Sequence, residues 1–185
     1  NYGCATCAAG RSFTSTSTSC IACDSGMYQH ENAGESVNCS YCVAGKSFTS
    51  TATACSSCAA GKYQAANEKA GAFCLFCEPG FSFVATDSVC TSCPNGKFQF
   101  SNRTPGAKCK FCAAGKSFVS RKKACAFCTG GKYQGENNLA NATCKTCLNQ
   151  MAAPNSATKC VACVHGTYQE LPIATSYGCK TCEAG

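Results

Sequence analysis

Hydrophobic and polar positions along this chain follow neither helical spacing nor the long alternation of a regular strand. The recurring unit is a CxxC pair, a glycine three residues after its second cysteine, and an aromatic residue two or three residues further on. The residues between these positions are mostly small and rich in serine and threonine. Such spacing favours short extended segments and tight hairpins, so we predict no helices.

The unit returns every 35 residues, which is typical of a repeat array. Five complete repeats and the start of a sixth are expected, with the boundaries 4–38, 39–73, 74–108, 109–143, 144–178 and 179–185. Because NYGCATCAAG at 1–10 closely matches SYGCKTCEAG at 176–185, we expect the chain to be a window of a longer protein.

Two kinds of loop alternate between the CxxC pairs, a short loop of 12 residues and a long loop of 15. Glycine follows each pair except at Gln150, which indicates a positive φ or a close approach to a disulfide that a Cβ would obstruct. We expect the following aromatic residue to cover the sulfurs. The fifth short loop, 148–159, lacks both glycine and aromatic, so it should be the least regular.

The composition is too poor in aliphatic residues for an ordinary core. Leu, Ile, Val and Phe together number 24 of 185 residues, whereas cysteine alone numbers 22. Cross-links must therefore replace the core. The predicted fold class is a small disulfide-rich repeat array, an elongated rod of short β-hairpins and loops without a conventional core.

The repeats reduce the number of plausible disulfide pairings, because every CxxC pair is expected to form the same local pattern of bonds. Joining the second cysteine of one pair to the first of the next gives a ladder that leaves Cys4 and Cys182 to bond outside the window. The ladder is Cys7–Cys20, Cys23–Cys39, Cys42–Cys55, Cys58–Cys74, Cys77–Cys90, Cys93–Cys109, Cys112–Cys125, Cys128–Cys144, Cys147–Cys160 and Cys163–Cys179. A crosswise pairing of whole CxxC pairs stays open as the second choice.

The motif CxxC-xx-G-x-Tyr/Phe followed by a loop of 12 to 15 residues resembles the ephrin-receptor-like (type A/B) cysteine-rich repeats of extracellular proteins. It is also similar to the single-disulfide modules of tumour-necrosis-factor receptors, in which the ladder connectivity is the rule. The resemblance covers the whole chain and implies a receptor, a stalk or a structural fibre. The strict 35-residue period and the scarcity of proline depart from the receptor type.

Catalytic and metal-binding chemistry is the weaker interpretation. Paired CxxC motifs also describe zinc ribbons, but 11 pairs would leave one pair over, and thiols oxidise outside the cell. The two histidines occupy unrelated loop positions, and no acidic pair or partner base recurs. We therefore predict no enzyme, no metal and no cofactor.

Cysteine at this density requires an oxidising compartment, so we predict that the protein is secreted. Three N-x-Ser/Thr sequons, at Asn38, Asn102 and Asn141, then become candidate sites for covalently attached glycans. Asn38 is the weakest of these because it abuts a cysteine. No apolar run is long enough to cross a membrane, and we expect an extracellular or cell-surface location.

The formal net charge of +7 is partly periodic, because basic residues follow recurring glycines. These residues are Arg11, Lys46, Lys62, Lys97, Lys116 and Lys132. Solvated charges that keep the array soluble are the preferred interpretation. An anionic polysaccharide is a possible partner, and nucleic acid is not expected.

Tyr41, Phe76 and Phe111 stand 35 residues apart, each between the cysteines of a CxxC pair. They could form an exposed self-assembly stripe or pack locally across the next loop. Our first functional hypothesis is a structural extracellular glycoprotein that builds a filament, fibre or cell-surface appendage by self-assembly. The alternative is the ligand-binding or adhesive repeat region of a cell-surface receptor, which would vary its loops more from repeat to repeat.

Overall fold

The computed structural model describes residues 6–13, 19–169 and 173–183. Within these ranges the chain forms strands and turns but no helix, and therefore no helix that could cross a membrane. Its strands have two residues each and pair into seven two-stranded sheets. They are β1 (Thr6–Cys7), β2 (Arg11–Ser12), β3 (Ile21–Ala22), β4 (Gly34–Glu35), β5 (Lys46–Ser47), β6 (Ser56–Ser57), β7 (Phe81–Ser82), β8 (Thr91–Ser92), β9 (Lys116–Ser117), β10 (Ala126–Phe127), β11 (Met151–Ala152), β12 (Val161–Ala162), β13 (Thr167–Tyr168) and β14 (Lys180–Thr181).

The hairpins of the short loops share one register. The residue after the recurring glycine position pairs with the second inner residue of the next CxxC pair, as in Lys46↔Ser57 and Lys116↔Phe127. A backbone bond from the second cysteine of that pair back to the carbonyl at the recurring glycine position closes these hairpins, for example Cys58 N–H to Gly45 O at 2.8 Å and Cys163 N–H to Gln150 O at 2.9 Å. The predicted class, a disulfide-rich array of short hairpins, is confirmed.

Ten disulfides join neighbouring CxxC pairs, second cysteine to first cysteine. The bonded pairs are Cys7–Cys20, Cys23–Cys39, Cys42–Cys55, Cys58–Cys74, Cys77–Cys90, Cys93–Cys109, Cys112–Cys125, Cys128–Cys144, Cys147–Cys160 and Cys163–Cys179. Their Cα–Cα distances lie between 5.5 and 5.8 Å, the ordinary span of a disulfide. Cys182 is unpaired and exposed, and Cys4 lies outside the described residues.

Burial is concentrated on sulfur and small side chains. The most buried residues are cysteines such as Cys42 and Cys112 and alanines such as Ala72 and Ala142, each fully excluded from solvent. The recurring aromatic residues of the short loops, such as Phe48 and Phe118, are only half-buried. The buried interior therefore consists of disulfides, with one buried alanine per repeat at Ala72, Ala107 and Ala142, and not of an aliphatic cluster.

Two compact units divide the chain, and each is described by itself. The first comprises Asn1–Cys77, Phe83–Thr91 and Asn102–Ala107, and the second comprises Glu78–Ser82, Ser92–Ser101 and Lys108–Gly185. Both units use the same contacts between successive repeats. In the first, Gln64 N–H donates to Thr86 O at 2.9 Å; in the second, Gln134 N–H donates to Ser156 O at 2.9 Å.

The glycines of the long loops lie against the backbone of the next repeat. Gly26 has a φ of +88°, and a Cβ there would collide with the backbone nitrogen of Gly71; Gly61 meets Gly106 in the same way. Hydrogen bonds join the same residues, from Gly71 N–H to Gly26 O at 3.1 Å and from Gly106 N–H to Gly61 O at 3.0 Å. The positive φ was predicted, but the close neighbour is the next repeat and not the disulfide.

The fifth short loop keeps the hairpin of the others but departs from them just before it, in line with the prediction that it is the least regular. Bends replace the common turn at Asn149 and Gln150, and Leu148 pairs with Ile173. Met151 pairs with Ala162 in the common register, and Gln150 keeps a positive φ of +61° without being glycine. Ala153 stands at the aromatic position and packs with Cys147 and Ala174 in a small buried cluster. Small apolar side chains therefore replace the missing ring.

The disulfide ladder is open to direct measurement. Digestion without reduction should release peptides that join adjacent CxxC pairs, such as Cys42 to Cys55, and mass spectrometry identifies them. A crosswise peptide, Cys39 to Cys55, would contradict the ladder. Reduction should convert the circular dichroism spectrum to that of a disordered chain, because each loop then regains about 3 kcal/mol of conformational freedom and no aliphatic core resists it.

Gly26→Ala and Gly71→Ala form a matched pair that tests the contact between repeats. Both glycines have a positive φ, but a Cβ on Gly26 collides with the backbone whereas a Cβ on Gly71 meets nothing within 4 Å. Gly26→Ala should accelerate hydrogen exchange of the residue 71 amide about tenfold or more, since strain and collision both oppose the bond. Gly71→Ala bears only the φ strain, so equal acceleration in the two variants would contradict the close approach.

Candidate functional site

The predicted aromatic stripe (Tyr41, Phe76 and Phe111) is half-buried. Each residue lies directly before a fully buried second cysteine of its CxxC pair, which fixes its backbone. Lys62 lies over the Phe76 ring, with its Nζ 4.6 Å from the ring centroid, and Lys97 lies over Phe111 at 4.5 Å. The stripe therefore combines partly exposed rings with an ammonium group on each of two rings.

Three of the six basic residues that follow recurring glycines lie over aromatic rings and are consequently more than solvated charges. Besides Lys62 and Lys97, Lys116 lies 4.4 Å from the ring centroid of Phe127, a side chain that is 70% exposed. The lysine stems cover apolar surface while the ammonium groups stay in water. Sequence reasoning identified the period of these lysines but not their rings, because 11 to 14 residues separate each lysine from the ring that it covers.

The other exposed phenylalanine rings do not follow the 35-residue period, although the exposed side chains of Val84 and Val119 do. Phe73, Phe100 and Val164 are each more than half exposed, and they occupy unrelated positions in their repeats. Lys69 lies 5.5 Å from the ring centroid of Phe73. The surface thus carries a periodic set of rings and a separate set that differs between repeats.

A glutamine after each long-loop aromatic is the recurring buried polar residue that sequence reasoning noticed without assigning a role. Gln29, Gln64, Gln99 and Gln134 are between 2 and 6% exposed. The Gln64 amide donates to Lys46 O at 3.1 Å and accepts from Ala66 N–H; Gln134 bonds to Lys116 O and Glu136 N–H in the same way. At these two positions the side chain therefore joins the long loop to the preceding hairpin, whereas the Gln99 amide donates to Ser101 O within its own loop.

Gln29 differs from its equivalents because both polar atoms of its buried amide lack a partner. It borders an open cleft of about 210 Å³ that is also lined by Tyr28, His30 and Glu31. A similar cleft of about 180 Å³ lies beside Tyr133 in the second unit. Both are smaller than the 300–1,000 Å³ of ordinary ligand pockets, so neither is a strong candidate for a small-molecule site.

The three sequon asparagines, Asn38, Asn102 and Asn141, are all exposed. Asn141 has a positive φ of +53°, and its backbone nitrogen lies where a Cβ on Gly96 would be. Asn38 precedes Cys39, which is bonded to Cys23. The surface therefore leaves all three side chains accessible, although their backbones differ in how tightly they are held.

No group of three His, Cys, Asp or Glu side chains with metal-binding geometry occurs among the described residues. His30 and His165 are exposed and far apart in sequence, within different units.

No protein-family model matches this chain, and no curated protein is similar enough to match it. The resemblance to ephrin-receptor-like repeats therefore stays a prediction that rests on the CxxC spacing.

The ten disulfides indicate maturation in an oxidising environment, as in secreted proteins.

Gln64→Met and Gln29→Met should differ in their effect on stability. Gln64→Met leaves the Lys46 carbonyl and the Ala66 amide without their side-chain partner, at a cost of about 1–3 kcal/mol. Gln29→Met removes an amide that is already unpaired, so it should be neutral or stabilising. Thermal unfolding with the disulfides intact measures both, and a larger loss at Gln29 would contradict the assignment.

Proposed function

We propose that this chain is part of a structural extracellular protein that self-assembles into a filament, fibre or cell-surface appendage. The supporting observation is that one set of contacts joins successive repeats in both units. The bond from a buried glutamine to the next repeat recurs at Gln29, Gln64, Gln99 and Gln134, with N···O distances of 2.9 to 3.0 Å. A repeating step of this kind presents equivalent surfaces at a fixed interval of 35 residues.

The aromatic stripe is the proposed contact between chains. Its rings are already half-buried, and burying the remaining face contributes about 1 kcal/mol for each ring. A single contact of that size is too weak to hold two chains, but the period multiplies it along the array. The lysines over Phe76 and Phe111 would border the contact and set its charge.

A receptor or adhesive repeat region is the second candidate function, and the aperiodic rings favour it. Phe73, Phe100 and Phe127 are between 57 and 70% exposed and have no equivalent aromatic in the neighbouring repeats. A ligand that binds once would use such a local patch rather than the stripe.

Two triple variants separate these functions. Changing Tyr41, Phe76 and Phe111 to Ser should raise the concentration needed for assembly about a hundredfold, because three rings lose about 1 kcal/mol each. Changing Phe73, Phe100 and Phe127 to Ser removes as many rings and should leave assembly unchanged. Electron microscopy and sedimentation of the secreted chain measure both.

Retention of filaments in the stripe variant would refute the stripe as the contact between chains. A wild-type chain that stays monomeric at every concentration would refute self-assembly itself. Each variant must first show the wild-type disulfide peptides and circular dichroism spectrum, so that a loss of assembly is not a loss of fold.

A further inference from the structure

A glutamate borders an open cleft in two of the repeats, at positions that are 105 residues apart. Glu136 lines the cleft of about 180 Å³ in repeat 4, and Glu31 lines the cleft of about 210 Å³ in repeat 1. The equivalent residues of repeats 2 and 3 are Ala66 and Ser101, which carry no charge. We call the two sites the repeat 4 cleft and the repeat 1 cleft.

In the repeat 4 cleft, a lysine of the same chain pairs with the glutamate. Lys159 Nζ lies 3.6 Å from Glu136 Oε1, and Lys159 itself lines the cleft. Its stem passes over Gly135, where a Cβ would lie 3.1 Å from Lys159 Cγ. The repeat 4 cleft therefore shows which side chain this arrangement accepts, namely a lysine that brings its ammonium group to the glutamate.

The repeat 1 cleft lacks this lysine. The residue equivalent to Lys159 is Ala54, and among the described residues no cation lies within ion-pair distance of Glu31. The amide of Gln29 lines the same cleft, is 4% exposed and has no partner at either polar atom, whereas the amide of Gln134 is bonded at both. An unpaired carboxylate and an unpaired amide oxygen together leave the cleft able to accept a cation from elsewhere.

The distribution of charge favours a second copy of this chain as the source of that cation. Repeat 1 carries three acidic residues and one basic residue, whereas repeat 4 carries one acidic residue and six basic residues. Three of these six form the run Arg121-Lys122-Lys123, whose members are all exposed. The basic repeat 4 of one copy is thus complementary in charge to the acidic repeat 1 of another.

Lys123 is the member of this run that is best placed to reach another chain. The Arg121 guanidinium donates to Ser92 Oγ at 3.2 Å. The Lys122 stem lies against Gly80, where a Cβ would be 2.9 Å from Lys122 Cγ. Within the described part of the chain, the Lys123 side chain has neither an ion-pair nor a hydrogen-bond partner. Its ammonium group is therefore available for a carboxylate of a second copy.

We propose that the repeat 1 cleft is a docking site for Lys123 of a second copy, with Glu31 receiving its ammonium group as Glu136 receives that of Lys159. This inference rests on the proposed self-assembly and adds a contact that the aromatic stripe does not provide. The cleft and the lysine lie on different repeats, so the contact is heterologous. Each copy offers one cleft and one lysine, and a heterologous contact that does not close into a ring extends into a filament.

Carbodiimide cross-linking identifies the pair directly, because it condenses a carboxylate with a neighbouring amine to form an amide. Wild-type chains with ordinary nitrogen and chains with the heavy nitrogen isotope are mixed at an assembling concentration, cross-linked and digested. Mass spectrometry then reads the isotope on each half of a cross-linked peptide. The Glu136–Lys159 peptide should carry one isotope throughout and is the internal control. A Glu31–Lys123 peptide should appear with both isotopes.

Ala54→Lys tests the cleft by supplying the lysine from within the chain. The variant should fold, because Ala54 is exposed and Lys159 occupies the equivalent position. Its new lysine should pair with Glu31 and raise the concentration needed for assembly about threefold, the change that one exposed ion pair controls. Val89→Lys is the matched control, because the cleft residue of that repeat is the uncharged Ala66, and it should leave assembly unchanged.

Exchange of the charges completes the test. Glu31→Lys and Lys123→Glu should each raise the assembly concentration about tenfold, because like charges then meet, and the double variant should restore it. Unchanged assembly in Ala54→Lys or Glu31→Lys, or absence of the Glu31–Lys123 peptide where the control peptide forms, would overturn the docking site while self-assembly stands. A wild-type chain that stays monomeric would instead refute self-assembly and the docking together.

Discussion

The disulfide ladder is the constraint on which the rest of the structure depends. Each strand has two residues, and an isolated hairpin of that length does not persist in water. A disulfide closing a loop of this size removes about 3 kcal/mol of unfolded-state entropy, a term that does not require apolar area. Covalent closure therefore holds hairpins that their own hydrogen bonds could not, and it lets serine, threonine and alanine occupy most other positions.

The contact between repeats imposes a second constraint, on backbone conformation more than on residue type. Gly26 and Gly61 need both a positive φ and a missing Cβ, because backbone atoms of the next repeat occupy that space. Gln150 and Asn141 also have positive φ, at +61° and +53°, yet they carry side chains. Glycine is thus indispensable only at the crowded positions, and elsewhere the fold accepts about 1–2 kcal/mol of local strain.

Sequence reasoning foresaw the hairpins, the positive φ of the glycines and the order in which the structure pairs the cysteines, because each follows from spacing inside one repeat. It named a disulfide as the possible close neighbour of the glycines, whereas the structure has the backbone of the next repeat there. The contact between Gly26 and Gly71 depends on how one repeat packs on the next, which the sequence does not show. It also missed the lysine over Phe76 and the bond from Ala44 to Asn67, although both recur at the visible period. A residue that recurs every 35 positions can be recognised in the sequence, but the residue that it contacts is set by three-dimensional packing.

Recurrence of a residue every 35 positions is therefore not by itself evidence of function, because the needs of folding explain most of the recurring residues. The cysteines form disulfides, and Gly26 and Gly61 leave room for the backbone of the next repeat. Gln64 and Gln134 join the long loop to the preceding hairpin, and Asn67 accepts a hydrogen bond from Ala44 N–H. A position is informative about function where a residue recurs although folding does not require it, or where one repeat departs from the recurring residue. The half-exposed rings of the aromatic stripe are of the first kind, since a threonine serves at the same position in other repeats. Pro79 is of the second kind, because it lacks the backbone N–H that Ala9, Ala44 and Ala114 donate to an asparagine side chain at the equivalent position.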